Sequence, residues 1–319
     1  YLALNTIVYD GEMEEMHALC DAAKSAGVSA VIATDIATIE YARSIGLEVH
    51  ISVQANVTNF QALEFYARYA DTVVLARELS LEQIASISKK VQEKNLRGPS
   101  GELIRLELFA HGALCVAVSG KCYMSLAQYD HSANRGACFQ PCRRSYRITD
   151  EETGAELVID NKYVMSPKDI CTIQYLDKIA AAGISVLKIE GRGRSADYVE
   201  VTTRVYREAL DALEAGTYTP DKCDPWIAEL GKVFNRGFWQ GGYYCGTKLG
   251  EWAACADSQA TEQRDEVGVL GNFYGKGNIA EFTLRRHSIK TGDALLIEGP
   301  TTGALRFTAV PARLRLYSP

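Results

Sequence analysis

The sequence lacks several features that would assign it to a common class of protein. None of its apolar runs reaches the length of about 18 residues that a transmembrane helix needs. The first residues, from Tyr1 onwards, include neither a basic segment nor a small-residue cleavage site, so we expect no signal peptide and a truncated N-terminus. The chain carries 34 basic and 40 acidic residues, a formal charge of −6, which argues against nucleic-acid binding through the whole surface.

Motifs of well-known enzyme classes are also missing. The sequence contains no H-E-x-x-H zinc motif and no G-x-S-x-G nucleophile turn. The G-x-G-x-S stretch from Gly191 to Ser195 lacks the third glycine of a dinucleotide loop and follows the last strand rather than the first. The sequence therefore indicates neither a zincin, nor an α/β-hydrolase, nor a dinucleotide-binding enzyme.

The first half of the chain alternates strand patterns with helix patterns. Short apolar runs such as YLALNTIV and LEVHISV are separated by amphipathic segments such as GEMEEMHALCDAAKSAG, which gives five strands before residue 113. A sixth strand, ISVLKIEGR, comes later. This alternation predicts a parallel sheet of βα units in an α/β protein. Because six strands are two short of a full set, we predict a (β/α) TIM-type barrel that is incomplete in this sequence.

The pattern predicts three regions. The barrel occupies residues 1–216 and contains a Cys-rich insertion at about residues 113–165, which is longer than an ordinary connecting loop. In the segment that follows, from Ser166 to Gly183, we predict a helix with Cys171 near its beginning. Residues 217–262 form a helical and irregular connection. Residues 263–319 carry short alternating runs and turns such as YGKGN and KTGD, which predict a small antiparallel β module.

Nine cysteines are present, and five of them lie from Cys115 to Cys171. A chain of 319 residues is too long for a small disulfide scaffold, so this clustering indicates metal chemistry in a reducing compartment, and we expect the protein in the cytoplasm. Four thiolates in an irregular, glycine-containing segment are typical of an iron–sulfur cluster. Structural zinc is the nearest alternative, although the paired C-x(2)-C spacing typical of zinc is absent. Buried core cysteines are another alternative, and we assign Cys20 to that class.

Polar residues follow several of the predicted strands. In a parallel barrel, the carboxyl ends of the strands form the face that carries the active site. The candidates at that face are Asn5, Asp35, Gln54, Asn56, Arg77, Glu78, His111, Lys188, Glu190 and Arg192. Acidic, basic and amide side chains that lie together at the mouth of a barrel suit a polar or anionic substrate. The alternative for each residue taken singly is a structural polar group near a strand end.

Four arginines and no acidic residue lie between residues 131 and 148: Arg135, Arg143, Arg144 and Arg147. Phe139 and Tyr146 are interleaved with them. Arginines next to aromatic side chains can bind phosphates and stack on bases, so the segment is a candidate RNA-binding surface. The alternative is a solvated basic loop around an anionic cluster.

The segment ELFAHGALCVAVSGKCYMS, from Glu107 to Ser125, resembles the signature of the peptidase U32 family, E-x-F-x-x-G-[SA]-x-C-x(4)-G-x-C-x-x-S. The resemblance continues through NRGACFQPCR, MSPKDIC, VLKIEGRGRSADYV and FNRGFWQGGYY, and the tail around KTGDALLIEGPTTG resembles the family's C-terminal β module. Proteins of this family have a (β/α) barrel and an iron–sulfur cluster. Their barrel begins with βα units ahead of the position of Tyr1, so the resemblance implies that this sequence lacks the first βα units of a TIM-type barrel.

The resemblance implies a cofactor and a choice of activities. It implies a [4Fe-4S] cluster held by Cys115, Cys122, Cys138 and Cys142, with Cys171 as the alternative fourth ligand. One branch of the family hydroxylates the wobble uridine of tRNA, with prephenate implicated. Others modify ribosomal RNA or act in ubiquinone synthesis, and an older branch is described as collagenases. The NRGACFQPCR stretch and the C-terminal module look most like the tRNA branch.

From this resemblance we predict prephenate-dependent hydroxylation of a tRNA wobble uridine. A collagenase-like peptidase is the alternative, and a non-enzymatic partner in a modification complex is a third hypothesis. The predicted catalytic residues are Arg77, His111, Lys188 and Glu190. The predicted substrate-binding residues are Asn5, Gln54, Arg135, Arg143, Arg144 and Arg192. The expected partners are tRNA or another RNA and a protein that supplies electrons, but not a membrane.

Overall fold

The computed structural model describes residues 1–147, 149–155, 165–246, 251–253, 258–277 and 279–310. Its main sheet contains six parallel strands and one short antiparallel strand. The strands are β1 Leu2–Leu4, β2 Ala30–Ala33, β3 Glu48–Ile51, β4 Thr72–Val74, β5 Arg105–Gly112, β6 Ile170–Cys171 and β7 Val186–Ile189. The parallel strands lie in the order β1-β2-β3-β4-β5-β7, and β6 pairs antiparallel with the end of β5.

Helices connect the parallel strands and continue beyond them. They are α1 Met13–Ser25, α2 Ile36–Ser44, α3 Phe60–Tyr66, α4 Leu81–Glu93, α5 Met124–Tyr129, α6 Leu176–Ala181, α7 Ala196–Glu214 and α8 Pro220–Lys232. The side chains of Asp35, Asn59 and Ser80 accept hydrogen bonds from the first turns of α2, α3 and α4, where backbone amides have no partner within the helix. Within the described ranges, no helix has the length and apolar character to span a membrane.

One face of the sheet carries the apolar core. Val31 is paired with Val49, and Ile51, Val73 and Leu106 are neighbours on the next strands. Because paired residues in adjacent strands point to the same side, these five side chains form one continuous surface. All five are at most 2% exposed and belong to a single hydrophobic cluster with residues of the surrounding helices. The helices therefore cover this face.

The predicted alternation of strands and helices is confirmed, but a closed barrel is not. In the described part of the chain, β1 and β7 are the two edges of the sheet, which is a half-barrel. The helix predicted from Ser166 is wrong at its start, because Ile170 and Cys171 pair with the end of β5. Helix α6 begins only at Leu176.

The predicted antiparallel β module is confirmed. It consists of two hairpins, β8 Gly268–Tyr274 with β9 Ile279–Leu284, and β10 Ala294–Gly299 with β11 Gly303–Thr308. Residues 311–319 of the predicted module, and residues 156–164 of the predicted insertion, lie outside the described residues.

An ionic network joins the module to helix α7. The buried carboxylate of Asp197, in the first turn of α7, pairs with Arg264 at 2.5 Å and with Arg306 at 3.1 Å. The backbone amide of Asp197 also donates to the carboxylate of Glu298 on β10, at 3.3 Å. The module is thereby attached to the half-barrel through polar contacts.

Candidate functional site

The cysteine-rich segment, residues 113–147, lies over the carboxyl ends of the parallel strands. Arg77, which follows β4, donates to the carbonyl of Ala113 at 3.3 Å. Arg192, which follows β7, donates to the carbonyl of Gly136 at 3.1 Å. Two residues predicted to bind or convert substrate therefore hold this segment on the sheet.

Two glycines allow the segment to pack closely against the strand ends. Gly112 has a φ of +108°, and a Cβ there would lie 2.5 Å from the carbonyl oxygen of Glu190. Gly120 has a φ of +77°, and a Cβ there would lie 2.5 Å from Nε2 of Gln54. Both positions need glycine, because other residues rarely adopt this φ and no side chain would fit. Gln54 thus lies at the mouth as predicted and packs on the cysteine-rich segment.

Four free, half-buried cysteines are grouped in the segment: Cys115, Cys122, Cys138 and Cys142. The thiol of Cys142 interacts electrostatically with the thiols of the other three. The pKa of the Cys142 thiol is raised, mainly because the thiol is buried. The fold therefore brings together the four residues that the spacing singled out.

Four cysteine thiols in one segment are the donor set that an iron–sulfur cluster uses. In the part of the chain that the structure describes, no group of three or more His, Cys, Asp or Glu side chains is arranged to hold one metal ion. Sγ of Cys122 also accepts a hydrogen bond from the backbone amide of Met124 at 3.5 Å, a contact that cluster-binding loops provide.

Cys171 lies apart from this group. It is 5% exposed and pairs with His111 through β6. Burial raises the pKa of its thiol to about 12, and its main electrostatic neighbours are Cys223 and Asp169. The structure thus groups Cys142, and not Cys171, with the other three thiols.

His111 is enclosed beneath the site. It is 1% exposed, and the rings of Tyr198, Tyr206 and Phe238 lie within 6.0 Å of its own. Burial, assisted by Arg194, lowers the pKa of its imidazole to about 3. A side chain that is sealed and neutral does not reach a substrate at the mouth, so the geometry gives His111 a packing role instead of the predicted catalytic one.

Lys188 and Arg77 contribute positive charge near the mouth. Lys188 pairs with Glu107 at 2.9 Å, and this carboxylate is almost fully buried on β5. The guanidinium of Arg77 lies 3.8 Å above the ring of Phe109, a cation–π arrangement, and is itself 9% exposed.

Two further predicted residues lie beside the mouth. The carboxylate of Glu190 accepts a hydrogen bond from the backbone amide of Arg192 at 2.9 Å, which fixes the turn after β7. Asn5 is half-buried directly after β1.

The arginines of the cysteine-rich segment have two different environments. Arg135 binds the carbonyl of Ile7 and pairs with Glu12, and Arg143 is largely buried. Arg144 and Arg147 are exposed. Only this second pair presents guanidinium groups to a large partner, so Arg135 and Arg143 hold the segment in place instead of facing RNA as predicted.

Aromatic side chains lie near the exposed arginines. Tyr123 is 77% exposed and Phe139 is 52% exposed. The ring of Phe139 contacts those of His131 at 4.7 Å and Tyr129 at 5.7 Å, and Arg144 lies 5.2 Å above Tyr129. This surface combines flat rings with positive charge, which is what unpaired nucleotides bind.

A buried ionic group lies beneath the cysteine-rich segment, and the sequence did not predict it. Arg236 pairs with Asp169 at 3.5 Å, and their side chains are only 6% and 2% exposed. Arg194 lies 3.7 Å above the ring of Phe234. The GRGRS and FNRGF stretches that contain these arginines stand out in the sequence, but nothing in them shows that the side chains turn inward.

The profile of peptidase family U32 matches residues 1–254. The chain belongs to this family. A protein of Porphyromonas gingivalis named collagenase is 48% identical over 305 residues, covering 96% of this chain and 73% of that protein. The tRNA hydroxylation protein P1 of Bacillus subtilis is 32% identical over 308 residues, covering 94% of this chain and 70% of that protein.

The name of a third relative refers to another RNA. The 23S rRNA 5-hydroxycytidine synthase of Escherichia coli is 36% identical over 214 residues, covering 67% of this chain and 31% of that protein. No solved structure matches the chain. The relatives therefore carry the names of two activities, proteolysis and RNA hydroxylation.

Proposed function

We propose that this U32 protein is an iron–sulfur enzyme that hydroxylates a base in RNA, with the wobble uridine of tRNA as its substrate. The observation that carries the proposal is the grouping of four half-buried thiols over the strand ends, next to exposed arginines and aromatic rings. The names of the Bacillus and Escherichia relatives support the same chemistry.

The four cysteines would hold a [4Fe-4S] cluster. When bound, such a cluster supplies one-electron redox chemistry or holds the segment in shape. Arg77 and Lys188 would bind an anionic co-substrate at the mouth, and we propose the dicarboxylate prephenate as that co-substrate. We propose a closed (β/α) barrel as the fold to which the six parallel strands belong.

Contact with RNA would be confined to one patch. Arg144 and Arg147 would bind phosphates, while Tyr123 and Phe139 would stack on unpaired bases. With a net charge of −6, the rest of the surface repels the RNA backbone, which favours a local and oriented contact. We place the reaction in the cytoplasm, where thiols stay reduced and a partner protein can supply electrons.

A collagenase-like peptidase is the second candidate, because two relatives from Porphyromonas gingivalis carry the name collagenase at 48% and 44% identity. A peptidase needs an activated nucleophile, an acid pair or a metal-bound water. Among the described residues, the histidine side chains bond Glu48, Tyr129 and Tyr206, and none bonds a serine or cysteine. We place this candidate second because the exposed aromatic rings and arginines near the four thiols favour RNA as the substrate.

The test is complementation of a strain that lacks the gene, followed by mass spectrometry of its tRNA nucleosides. We expect the native chain to restore hydroxylated uridine and Cys138→Ser to fail. Cys20→Ser is the matched control, because Cys20 is buried in the core away from the cysteine-rich segment. Purified protein, kept anaerobic, is assayed on gelatin in parallel. Gelatin cleavage that persists in Cys138→Ser, with unchanged tRNA, would reject the proposal in favour of the peptidase.

A further inference from the structure

Three guanidinium groups share one carboxylate beneath the cysteine-rich segment. Arg236 is 5% exposed and bonds Asp169, which is 1% exposed. Arg143 interacts electrostatically with both of these residues, and so does Arg194. In the described part of the chain, Asp169 is the carboxylate that bonds this group. We call Arg143, Arg194 and Arg236 the arginine cluster.

Arg143 connects the arginine cluster to the thiols. It follows Cys142 in the chain, and its Nη2 donates to the carbonyl of Leu114, the residue before Cys115, at 2.6 Å. Its guanidinium interacts electrostatically with the thiols of Cys142 and Cys115. The same side chain thus contacts the backbone on both sides of the cysteine group.

The hydrogen bonds of Arg143 leave its charge uncompensated. Nη1 donates to Oγ of Ser166 at 3.0 Å and to the carbonyl of Pro167 at 2.6 Å, so all of its bonded partners are neutral oxygens. Neutral acceptors satisfy the N–H groups but do not cancel the positive charge. The three arginines share the single negative charge of Asp169, so the arginine cluster keeps a net positive charge that a nearby anion would stabilise.

An iron–sulfur cluster would be that anion. Four thiolates contribute more negative charge than the iron–sulfide core contributes positive charge, so the ligated cluster is an anion. It gains a further negative charge when it accepts an electron. Nearby buried cations interact more strongly with the more negative, reduced form. Net charge around a cluster is one of the factors that set its reduction potential.

We propose that the arginine cluster, acting through Arg143, raises the reduction potential of the [4Fe-4S] cluster and that Asp169 lowers it. The inference rests on the cluster assigned under the proposed function. The step concerned is the transfer of one electron from an external donor to the oxidised cluster, in which no covalent bond of the protein forms or breaks. The arginines are positioning residues, because they act on the redox group and not on the substrate.

The experiment is a redox titration of the full chain, purified anaerobically and reconstituted with iron and sulfide, with dithionite as the reductant. Cluster reduction is followed by visible absorption and electron paramagnetic resonance. We expect Arg143→Gln and Arg194→Gln to lower the midpoint potential and Asp169→Asn to raise it. For Arg143→Gln, we expect a change of about tenfold in the ratio of reduced to oxidised cluster at fixed potential, about 59 mV for a one-electron couple.

Two controls separate charge from folding. Arg143→Lys keeps the positive charge and is expected to stay nearer the native potential than Arg143→Gln. Arg68→Gln removes an exposed arginine that stacks on Phe65, far along the sheet, and is expected to leave the potential unchanged. If Arg143→Gln fails to take up iron, the opposite shifts of Arg194→Gln and Asp169→Asn still decide the question.

Each outcome has a distinct meaning. Opposite shifts in the arginine and aspartate variants support the inference. An iron–sulfur signal in the native chain with shifts of the same sign, or none, overturns the inference and leaves the proposed function standing. No iron and sulfide in the anaerobic native chain overturns both.

Discussion

Cys171 is a residue whose surroundings decide its chemistry. It is buried on β6, where burial raises the pKa of its thiol to about 12, and it lies apart from the group formed by the other four thiols. We expect Cys171→Ala to keep the iron and sulfide content of the native chain, whereas Cys142→Ser loses it. Iron and sulfide analysis of anaerobically purified variants checks this. Loss of iron in Cys171→Ala alone would assign the fourth ligand to Cys171.

His111 gives the protein a pH-dependent stability. Burial lowers the pKa of the folded imidazole from 6.5 to about 3, so below pH 6.5 the unfolded chain binds a proton that the folded chain does not. The contribution of neutral His111 to the free energy of unfolding is complete above pH 6.5, and it is lost as the pH falls from 6.5 towards 3. Its slope approaches about 1.4 kcal/mol per pH unit for one such group.

Urea unfolding between pH 7 and pH 5 measures this effect. His111→Asn should flatten the pH dependence of the free energy of unfolding, even though the variant is less stable at every pH. Ile173→Val is the control, because it lowers the stability of the buried core without removing an ionisable group and should leave the slope as it is. Equal slopes in the native chain and His111→Asn would contradict the prediction.

The sequence identified the candidate cysteines but not the direction of the arginines. Spacing and glycines were enough to single out Cys115 to Cys142 as candidates, because four cysteines and three glycines fall between residues 112 and 142. Arg143 and Arg144 are adjacent, yet one turns inward and the other is exposed. The difference depends on acceptors at Ser166 and Pro167, whose positions only the folded chain defines.

At the scale of elements, helix α4 begins with a capping box. The hydroxyl of Ser80 accepts from the amide of Gln83 at 3.2 Å, and the Gln83 side chain accepts from the amide of Ser80 at 2.9 Å. We expect Ser80→Ala to lower the free energy of unfolding by about 1 kcal/mol. Ser86→Ala, on the exposed middle of the same helix, should cost nothing, because alanine is the better helix former. Urea titration that gave equal losses would refute the role of the cap.

The parallel strands could be predicted from the sequence because the pattern that marks each of them is local. Strand β6 could not be predicted in this way. Strands β1 to β5 and β7 are apolar runs between amphipathic helices, a pattern visible within about 15 residues. Ile170 and Cys171 stand in a segment with helical periodicity, and only their return to the end of β5 makes them a strand. A two-residue strand is defined by its distant partner, so local pattern does not reveal it.

At the scale of the whole molecule, Asp197 joins the β module to the half-barrel. Asp197→Asn removes the charge that Arg264 and Arg306 share, and we expect the module to detach more often. Limited trypsin digestion should then cut near Arg264 several times faster, while the half-barrel stays resistant. Glu281→Gln, an exposed change in the module itself, is the control. An unchanged cutting rate in Asp197→Asn would show that other contacts hold the module.

The pairing of β6 with the end of β5 has a consequence for how this family can diversify. His111 and Cys171 are paired, so both ends of the intervening chain are fixed side by side on the sheet. Once a loop is closed in this way, doubling its length costs only about 0.6 kcal/mol of chain entropy. Lengthening the chain between these two residues would therefore cost little, so members of the family can vary this part of the chain while the four cysteines keep their positions.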